Sequence, residues 1–543
     1  MGFLLSTLVV SSWVGGGLLP SASSRAGRLA LEAQRLDTPP PPPLASALDD
    51  AQLRSELAQS RVAVAGITPP LGEGAPFDEV TPVTLRETDL PPRVTAARLD
   101  GTGLPTVWSE FGELASSMPD AVNLGQGFPD WQPPAFVLEQ AQEALATGFN
   151  QYTRPAGHPP LVEVLARRYS KHLGREIDPA TEVAVTVGAS QALYLTLQAL
   201  VDPGDEVILL EPAFDLYYGQ VKLAGGTAVP VPLKLGASDP TADPTADPTA
   251  DSTGGGLKYS TGGGSEHVVA GRGEVFSLDI EALEASITPK SKVLVLNSPH
   301  NPTGKAFTSG EMEAIADVVR RHPQLLVISD EVYKYIVHSG EPHVHFASFP
   351  GMFERTVTLS SAGKTFSITG WQSGWCVGPP RLLKPIQLLL PFVQFCVATP
   401  MQQALSRVLT LADEPYEGHD SYYEWLCDMY RRKRALLAEG LRGAGIVPLD
   451  GEGGFFLMGD TRGLNVPEKY LRESTAAAPQ MTRDWAVCRW FAIEAGVIAI
   501  PASPFYSGPN KALAQNLVRF AFCKSDQTIL EACERLSRLS RAD

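Results

Sequence analysis

The sequence contains one lysine whose neighbours suit covalent chemistry. Lys364 follows the small residues Ser361-Ala362-Gly363 and precedes the apolar Phe366. Burial among small and apolar side chains lowers the pKa of a lysine, and the free amine can attack an aldehyde. A solvated loop lysine is the plain alternative. A phosphate-binding P-loop is the second, because Gly363-Lys364-Thr365 resembles its end, but Thr358 stands where the first glycine is required.

Arg519 is the second residue that suggests chemistry. It interrupts residues 517–522, Leu-Val-Arg-Phe-Ala-Phe, which otherwise read as an apolar strand. An arginine that is buried without a partner is costly, so the position calls for an anion. A substrate carboxylate bound through two hydrogen bonds meets that need. An internal salt bridge and a solvent-facing arginine on an edge strand are the alternatives.

Three more polar side chains follow predicted strands. Asp330 ends the strand Leu325–Ser329, where a carboxylate can meet a protonated ring nitrogen and strengthen an electron sink. Asn301, within the run Asn-Ser-Pro-His-Asn-Pro-Thr-Gly of residues 297–304, and Tyr333 can donate hydrogen bonds to an oxygen of the same ring. Turn chemistry and simple packing are the alternatives for these residues.

The segment Gly188-Ala189-Ser190-Gln191 suits phosphate binding. It follows a predicted strand and opens the helical pattern Ala192–Leu200. Free backbone N–H groups and the positive end of the helix dipole hold anions at such a position. An ordinary helix start with Ser190 as its cap is the alternative.

These residues need a scaffold, and the hydrophobic pattern predicts one. Short Val/Ile/Leu runs alternate with longer amphipathic segments, which predicts an α/β fold with a mainly parallel sheet covered by helices. The predicted strands are Val183–Val187, Glu206–Leu210, Ala228–Leu233, Val293–Asn297, Leu325–Ser329, Val357–Ser360 and Trp375–Gly378. Because ligands bind at the carboxyl ends of such strands, the polar clusters are expected to converge on one site.

Composition narrows the classes of partner. The 543 residues are 44% hydrophobic and 19% charged, with a formal net charge of -16. With this excess of acidic residues the sequence shows no basic surface that would bind nucleic acid or an anionic membrane, and small-molecule partners are favoured. The six cysteines show no C-x-x-C pair, so the sequence predicts neither a metal site nor disulfides.

Three segments fall outside the regular pattern. Residues 1–36 resemble a targeting leader that is removed. This predicts a mitochondrial or plastid location, with the cytoplasm as the alternative. No stable membrane span is expected. Residues 37–104, which include the run Pro39–Pro43, predict a mostly disordered linker. Residues 236–273 repeat the unit Asp-Pro-Thr-Ala before two Gly-rich patches and predict a surface insertion.

Residues 125–130, 297–304, 330–333 and 361–366, together with Arg519-Phe520, resemble the class I/II aminotransferases of pyridoxal phosphate (PLP) fold type I. Within them the chain is most similar to the kynurenine aminotransferase, glutamine transaminase K and cysteine-conjugate β-lyase branch, from Trp108 to the C-terminus apart from the insertion. The resemblance implies a homodimer whose subunit has an N-terminal arm with part of a small domain (105–150), a large PLP-binding domain (151–395) and a small C-terminal domain (396–543).

The resemblance also implies a role for each site residue. Lys364 resembles the Schiff-base lysine, Asp330 the partner of the pyridine nitrogen, and Arg519 the clamp on the substrate α-carboxylate. The other implied roles are ring-hydroxyl donors for Asn301 and Tyr333, ring stacking for Phe214, phosphate binding for Ala189, Ser190 and Ser361, contact with the neighbouring subunit's phosphate for Tyr152, and substrate binding for Gly127 and Trp108.

The implied activity is ping-pong transfer of an amino group between a neutral or aromatic L-amino acid, of the glutamine, methionine, phenylalanine or kynurenine type, and a 2-oxo acid. A cysteine-conjugate β-lyase is the alternative; a non-catalytic PLP-fold protein is disfavoured because Lys364 and Arg519 are both present. Two positions depart from the family pattern. Gln372 stands where many relatives have a phosphate-binding Lys or Arg, and Val397 and Ala398 stand where kynurenine-preferring animal enzymes have aromatic residues.

Overall fold

A computed structural model describes residues 95–100, 105–237, 258–260, 266–268 and 274–539. The leader predicted at residues 1–36 and most of the linker predicted at 37–104 lie outside these ranges, so both segments and the predicted destination stay predictions. Within the predicted linker, Ala97–Leu99 form one exposed 3₁₀ turn. Among the helices described, none has the length and apolar character needed to cross a bilayer.

Strands and helices are interspersed along the described chain. The strands are β1 Val122–Asn123, β2 Val183–Val187, β3 Glu206–Glu211, β4 Thr227–Pro232, β5 Lys234–Ala237, β6 Lys258–Ser260, β7 Glu266–Val268, β8 Glu274–Ser277, β9 Ser291–Asn297, β10 Leu326–Asp330, β11 Thr356–Ser361, β12 Ser373–Val377, β13 Val447–Pro448, β14 Phe456–Asp460, β15 Val497–Ile498, β16 Ile500–Pro501 and β17 Leu517–Ala521. The α-helices are α1 Val107–Ser117, α2 Ala135–Ala146, α3 Pro159–Leu173, α4 Gly188–Leu200, α5 Leu216–Leu223, α6 Ile280–Ala285, α7 Ser309–Arg321, α8 Ala362–Thr365, α9 Pro380–Val393, α10 Thr399–Leu411, α11 Tyr422–Gly443, α12 Glu468–Leu471, α13 Arg483–Trp490 and α14 Asp526–Leu539.

A seven-stranded sheet forms the centre of the molecule, in the order β2-β12-β11-β10-β9-β3-β4. Its seven members are the strands predicted from the sequence, with ends that differ by up to two residues. Strands β11, β10, β9, β3 and β4 pair in parallel, whereas β12 runs antiparallel to both β11 and β2. The predicted α/β fold with a mainly parallel sheet is confirmed.

Burial of both sheet faces explains the continuous apolar runs. Along β3, Val207 and Leu209 pack on one face, in the cluster that includes α4 and α9, whereas Ile208 and Leu210 pack on the other face with α7. Successive side chains of a strand point to opposite faces, so a strand covered on both sides is apolar throughout. Each such side chain, when fully buried, contributes roughly 1.5–3 kcal/mol to the favourable free energy of folding.

A second, antiparallel sheet has the order β13-β14-β17-β16. The strand predicted at residues 517–522 is confirmed as β17, and Arg519 pairs there with Met458 on one side and Ile500 on the other. A short parallel pair joins β1 to β15. The domain boundaries predicted near residues 150 and 395 stay predictions.

The predicted insertion of residues 236–273 begins and ends in a paired ladder. Strands β5 and β8 are antiparallel, with Ala237 opposite Glu274. Within the insertion β6 pairs with β7, an element that the Gly-rich sequence did not predict because it lacks the alternation typical of strands. The two ends of the insertion are therefore held side by side by the strands that flank it.

Replacement of Ser238–Arg272 by a single Asn should preserve the fold. The new link, Asn followed by Gly273, is the preferred two-residue hairpin turn between Ala237 and Glu274. Each halving of a loop lowers its closure cost by about 0.6 kcal/mol, so we expect an unchanged or higher melting temperature. Thermal unfolding and sedimentation measure this, with a Gly/Ser segment of the original length as matched control. Loss of soluble protein in the shortened variant would contradict the prediction.

Candidate active site

Lys364 lies directly beyond the carboxyl end of β11, in the one-turn helix α8. Its Nζ donates to the backbone oxygen of Gly127 at 3.1 Å and lies 5.5 Å from the centre of the Phe455 ring. Burial lowers the pKa of Lys364, and the nearby charge of Arg519 acts in the same direction. A lysine in this setting holds a larger fraction of neutral, nucleophilic amine than a lysine in water.

Asp330 ends β10 and is buried. Its Oδ2 accepts a hydrogen bond from the Tyr217 hydroxyl at 2.7 Å, and its Oδ1 accepts from the backbone N–H of Val332 at 3.3 Å. Burial raises the pKa of Asp330 to about 6. None of the described cationic side chains forms an ion pair with this carboxylate, so a cationic ligand group placed beside it would be stabilised.

Asn301 is placed by a neighbouring amide. The side chain of Asn297, at the end of β9, accepts from the backbone N–H of Asn301 at 2.7 Å and donates to the backbone oxygen of Asp330 at 2.9 Å. It thereby ties the turn after β9 to the end of β10. The Asn301 Oδ1 in turn accepts from Arg519 Nη1 at 3.0 Å.

Arg519 is 1% exposed, and its guanidinium is only partly satisfied. Its Nη2 donates to the backbone oxygen of Gly125 at 2.8 Å, but its buried Nε has no hydrogen-bond partner. In the part of the chain that the structure describes, no carboxylate forms an ion pair with it. Burial lowers the pKa of Arg519 to about 10. The rings around the guanidinium carbon are Phe456 at 4.0 Å, Phe505 at 5.0 Å and Trp108 at 5.3 Å.

The segment of residues 125–128 runs between the lysine and the arginine. Gly125 accepts from Arg519 and Gly127 accepts from Lys364, both through backbone oxygens. A Cβ on Gly127 would lie 2.5 Å from the Phe456 ring, so only glycine fits there without displacement of the ring. The absence of a side chain lets this backbone approach both charged groups.

The first turn of α4 lies at the carboxyl end of β2. Gly188 opens it with a φ of +70°, a conformation that favours glycine, and Ala189 and Ser190 follow in the same turn. Gln372, whose own φ is +48°, places its Oε1 2.7 Å from the position of a Cβ on Gly188. A neutral amide therefore sits beside a helix N-terminus that suits a phosphate.

An aromatic cluster follows β3. Phe214 is half-buried and its ring lies 5.9 Å from that of Tyr217, which binds Asp330. Trp108 donates from Nε1 to Asp215 Oδ2 at 2.6 Å, and burial raises the pKa of Asp215. The helix α1 and the turn after β3 thereby place an indole ring close to Arg519.

Tyr333 and Ser361 also reach this edge of the sheet. Tyr333 is buried with its ring 5.0 Å from Phe455, and burial raises its pKa although Arg519 opposes the shift. Ser361 is buried at the junction of β11 and α8. Tyr333 thus packs on the ring that Lys364 Nζ also faces, and Ser361 directly precedes the helix of Lys364.

Three residues singled out in the sequence are not gathered into this cluster. Tyr152 is 80% exposed, and its ring lies 4.8 Å from Phe395. Val397 is 4% exposed and belongs to the hydrophobic core of its own chain, while Ala398 is exposed. Within a single chain, Tyr152 therefore points to solvent rather than to the lysine.

Sequence reasoning missed three residues of the site. Tyr217 and Asp215 follow Phe214 after the carboxyl end of β3, so the rule that placed the other clusters would have found them. Phe456 carried no such signal, because an apolar residue in a strand normally reads as core. Its contact with Arg519 depends on the pairing of β14 with β17.

Four kinds of anchor come together where the carboxyl edge of the seven-stranded sheet faces β17 of the antiparallel sheet. These are a buried amine, a buried carboxylate without a cation, a helix N-terminus and an arginine without an anion. The first three suit an aldehyde with a cationic ring nitrogen and a phosphate, and the arginine suits a carboxylate. The residues present therefore fit PLP together with an amino-acid substrate.

Comparison with known proteins agrees with this chemistry. The sequence profile of class I and II aminotransferases matches residues 119–239 and 264–536. A kynurenine–oxoglutarate transaminase of Dictyostelium discoideum is 40% identical over 440 residues, which cover 80% of this chain and 94% of that protein.

Two solved structures are also similar. N-succinyldiaminopimelate aminotransferase from Mycobacterium tuberculosis is 36% identical, with a TM-score of 0.67 and coverage of 82% of this chain and 100% of that one. YbdL from Escherichia coli, identified as having a methionine aminotransferase function, is 30% identical with the same TM-score and coverage. The resemblance predicted from the sequence is confirmed. The chain belongs to the class I and II aminotransferases, a family that generally depends on PLP, and it is a transaminase.

Proposed function

We propose that this aminotransferase binds PLP through Lys364 and transfers amino groups from neutral or aromatic L-amino acids to a 2-oxo acid by a ping-pong mechanism. One observation carries the proposal. The buried amine of Lys364 and a carboxylate without a cation lie at the carboxyl edge of the seven-stranded sheet, and an arginine without an anion faces that edge from β17. These are the three groups that a cofactor ring and a substrate carboxylate would engage.

The cofactor would be held by groups on several strands. When bound, PLP supplies an electron sink that withdraws charge from the substrate's α-carbon. Asp330 would face the ring nitrogen, with Asn301 and Tyr333 at the ring hydroxyl, Phe214 against the ring face, and Ala189, Ser190 and Ser361 at the phosphate. Gln372 beside the phosphate site is neutral, so we expect weaker electrostatic binding of the phosphate than a lysine there would give.

Lys364 would have two roles. Its neutral Nζ would hold the cofactor covalently through the cofactor aldehyde, and the free Nζ would serve as the base that accepts the proton of the substrate α-carbon. Burial favours the neutral form that both tasks require. In a ping-pong reaction the cofactor would carry the amino group from the amino acid to the second 2-oxo acid.

Arg519 would bind the α-carboxylate of every substrate. Its Nε lacks a partner, while Gly125 and Asn301 hold the two terminal nitrogens and fix the plane of the guanidinium. A planar fork that is already oriented loses little freedom when it binds a carboxylate. Because the amino acid and the oxo acid share this carboxylate, one arginine serves both half-reactions.

A homodimer would complete the site. The Tyr152 ring packs on Phe395, and the nearby residues Leu388, Phe392 and Val393 of α9 are also exposed, with Phe392 90% exposed. A group of exposed apolar side chains of this kind is typical of a subunit interface. Across that interface Tyr152 would reach the neighbouring subunit's phosphate. Sedimentation of the wild-type protein at a mass near that of one 58.2 kDa chain would contradict this part of the proposal.

The surroundings of Arg519 favour substrates with uncharged side chains. Phe456, Phe505 and Trp108 form its walls, and Asp215, whose charge acts on Arg519, is fixed to the Trp108 indole. These rings suit thioether, amide and aromatic side chains. A second substrate carboxylate placed here would lose its hydration and face the charge of Asp215, both of which oppose binding.

Lys364→Ala should fold normally and lose turnover by at least about a thousandfold, because the base and the covalent link to the cofactor are removed together. Borohydride reduction should link the cofactor permanently to the wild-type chain and not to the variant, and mass spectrometry measures the added mass. Lys433→Ala is the matched control, since Lys433 pairs with Asp526 away from the site. Wild-type turnover by Lys364→Ala would refute the assignment.

Arg519→Lys should lower kcat/KM for amino acid and oxo acid alike by roughly ten- to a hundredfold, the equivalent of about 1.5–3 kcal/mol for a charged hydrogen bond. The visible absorbance of bound cofactor should stay unchanged. Arg483→Lys serves as control, because Arg483 binds the backbone oxygens of Thr461 and Leu464. An unchanged Michaelis constant in Arg519→Lys would assign that arginine a structural role only.

A panel of amino acids assayed with one oxo acid should rank methionine, glutamine and phenylalanine above aspartate in kcat/KM. The reason is the aromatic wall around Arg519 and the nearby charge of Asp215. Initial rates at fixed enzyme and oxo-acid concentration provide the ranking. Aspartate at the top of the panel would overturn the proposed pocket while leaving the aminotransferase assignment intact.

A further inference from the structure

A buried cluster of titratable side chains begins one residue beyond Asp330 and takes no part in the proposed reaction. It consists of Glu331, His343 and His345, with His172 beside them, and we call it the histidine–glutamate cluster. One ligand atom from each of Glu331, His343 and His345 lies within 4.8 Å of the others. Imidazole nitrogens with a carboxylate oxygen are a ligand set that zinc prefers.

The separations suit a single metal ion. From Glu331 Oε2, His345 Nδ1 lies 2.6 Å away and His343 Nε2 lies 3.4 Å away. Ligands at about 2.0–2.1 Å around a tetrahedral zinc ion are about 3.3 Å from one another. Both distances to Glu331 are therefore within an ångström of the separation that the ion requires.

His343 is the observation that favours a ligand over a simple buried ion pair. Its side chain is 6% exposed, and its Nε2 is buried without a hydrogen-bond partner. The same nitrogen lies 3.4 Å from Glu331 Oε2. An unsatisfied buried polar atom costs about 1–3 kcal/mol, and a bound cation removes that cost because it takes the lone pair.

The surroundings of the cluster resemble the outer shell of a metal site. Ser329 Oγ donates to Glu331 Oε1 at 3.0 Å, which leaves Oε2 for a ligand. His345 Nε2 lies 3.1 Å from His172 Nδ1, which leaves His345 Nδ1 for the metal when the proton is on Nε2. Hydrogen bonds of this kind orient carboxylate and imidazole ligands.

We propose that Glu331, His343 and His345 bind one divalent transition-metal ion of the zinc class, outside the PLP pocket. Three protein ligands leave a fourth position for water. The ion would join the end of β10 to the segment of residues 343–345 and, through His172, to α3. Its role is then structural, because it fixes the strand end that carries Asp330.

Lys334 is the group that opposes binding. It is buried close to Glu331, and its positive charge repels a cation. Its Nζ donates to the Tyr169 hydroxyl at 2.8 Å and lies 4.1 Å from the centre of the same ring. This contact holds the ammonium group on the phenol, so the carboxylate remains available to the metal.

Holoenzyme without a histidine tag, treated with EDTA and then titrated with ZnCl₂, tests the proposal. We expect one zinc ion per chain by calorimetry and elemental analysis, and a melting temperature that rises with zinc concentration because the ion binds only the folded state. His343→Gln and His345→Gln should abolish the tight site. His172→Gln should weaken it by about tenfold, as the loss of an orienting hydrogen bond does.

His419→Gln is the matched control, since His419 is partly exposed and lies outside the cluster. It should keep wild-type zinc affinity. A wild-type protein that binds no zinc, or a His343→Gln variant that binds as the wild type does, would reduce the cluster to a His345–Glu331 ion pair. Should the variants fail to fold, anomalous diffraction from wild-type crystals soaked in zinc decides: a peak between the three ligands supports the site, and peaks only elsewhere refute it.

Discussion

The buried guanidinium of Arg519 is the constraint around which the rest of the site is arranged. Transfer of a charge from water into a protein interior is expensive, and here the groups in direct contact are neutral: the backbone oxygen of Gly125, the amide oxygen of Asn301 and surrounding aromatic rings. These partners come from the segment after β1, the turn after β9 and the antiparallel sheet. The arginine therefore holds together three parts of the chain that are distant in sequence, and one of its nitrogens remains for an anion.

Burial also tunes the two other ionisable groups of the site. It lowers the pKa of Lys364 and raises that of Asp330 to about 6, because an apolar environment disfavours the charged form of each. The consequences differ. The lysine becomes more nucleophilic. The carboxylate gains affinity for a cation, because an opposite charge beside it offsets the free-energy cost of its desolvation. A cofactor with an aldehyde and a basic ring nitrogen satisfies both groups at once.

Asp330 and Glu331 are neighbours in sequence, yet they belong to different clusters. Asp330 bonds to Tyr217 at the proposed cofactor site, and Glu331 bonds to Ser329 and His345 behind it. Neighbouring side chains at a strand end point in different directions, so one short segment can supply both groups. Any ion held by Glu331 would thereby limit the freedom of the strand end that positions Asp330.

By itself the sequence determined the scaffold and most of the polar site. The seven apolar runs are the seven strands of the main sheet. A strand that is covered by helices on both faces must be apolar along its whole length, and that property can be read from the local sequence. Lys364, Asp330, Asn301 and Arg519 were recognisable because charged or turn residues beside apolar strands break that pattern. Only the tertiary structure decided that β12 runs antiparallel, that Tyr217 binds Asp330, and that His172 approaches His345. These features depend on pairings between segments far apart in the chain, and no local preference of the residues involved encodes which distant partner they meet.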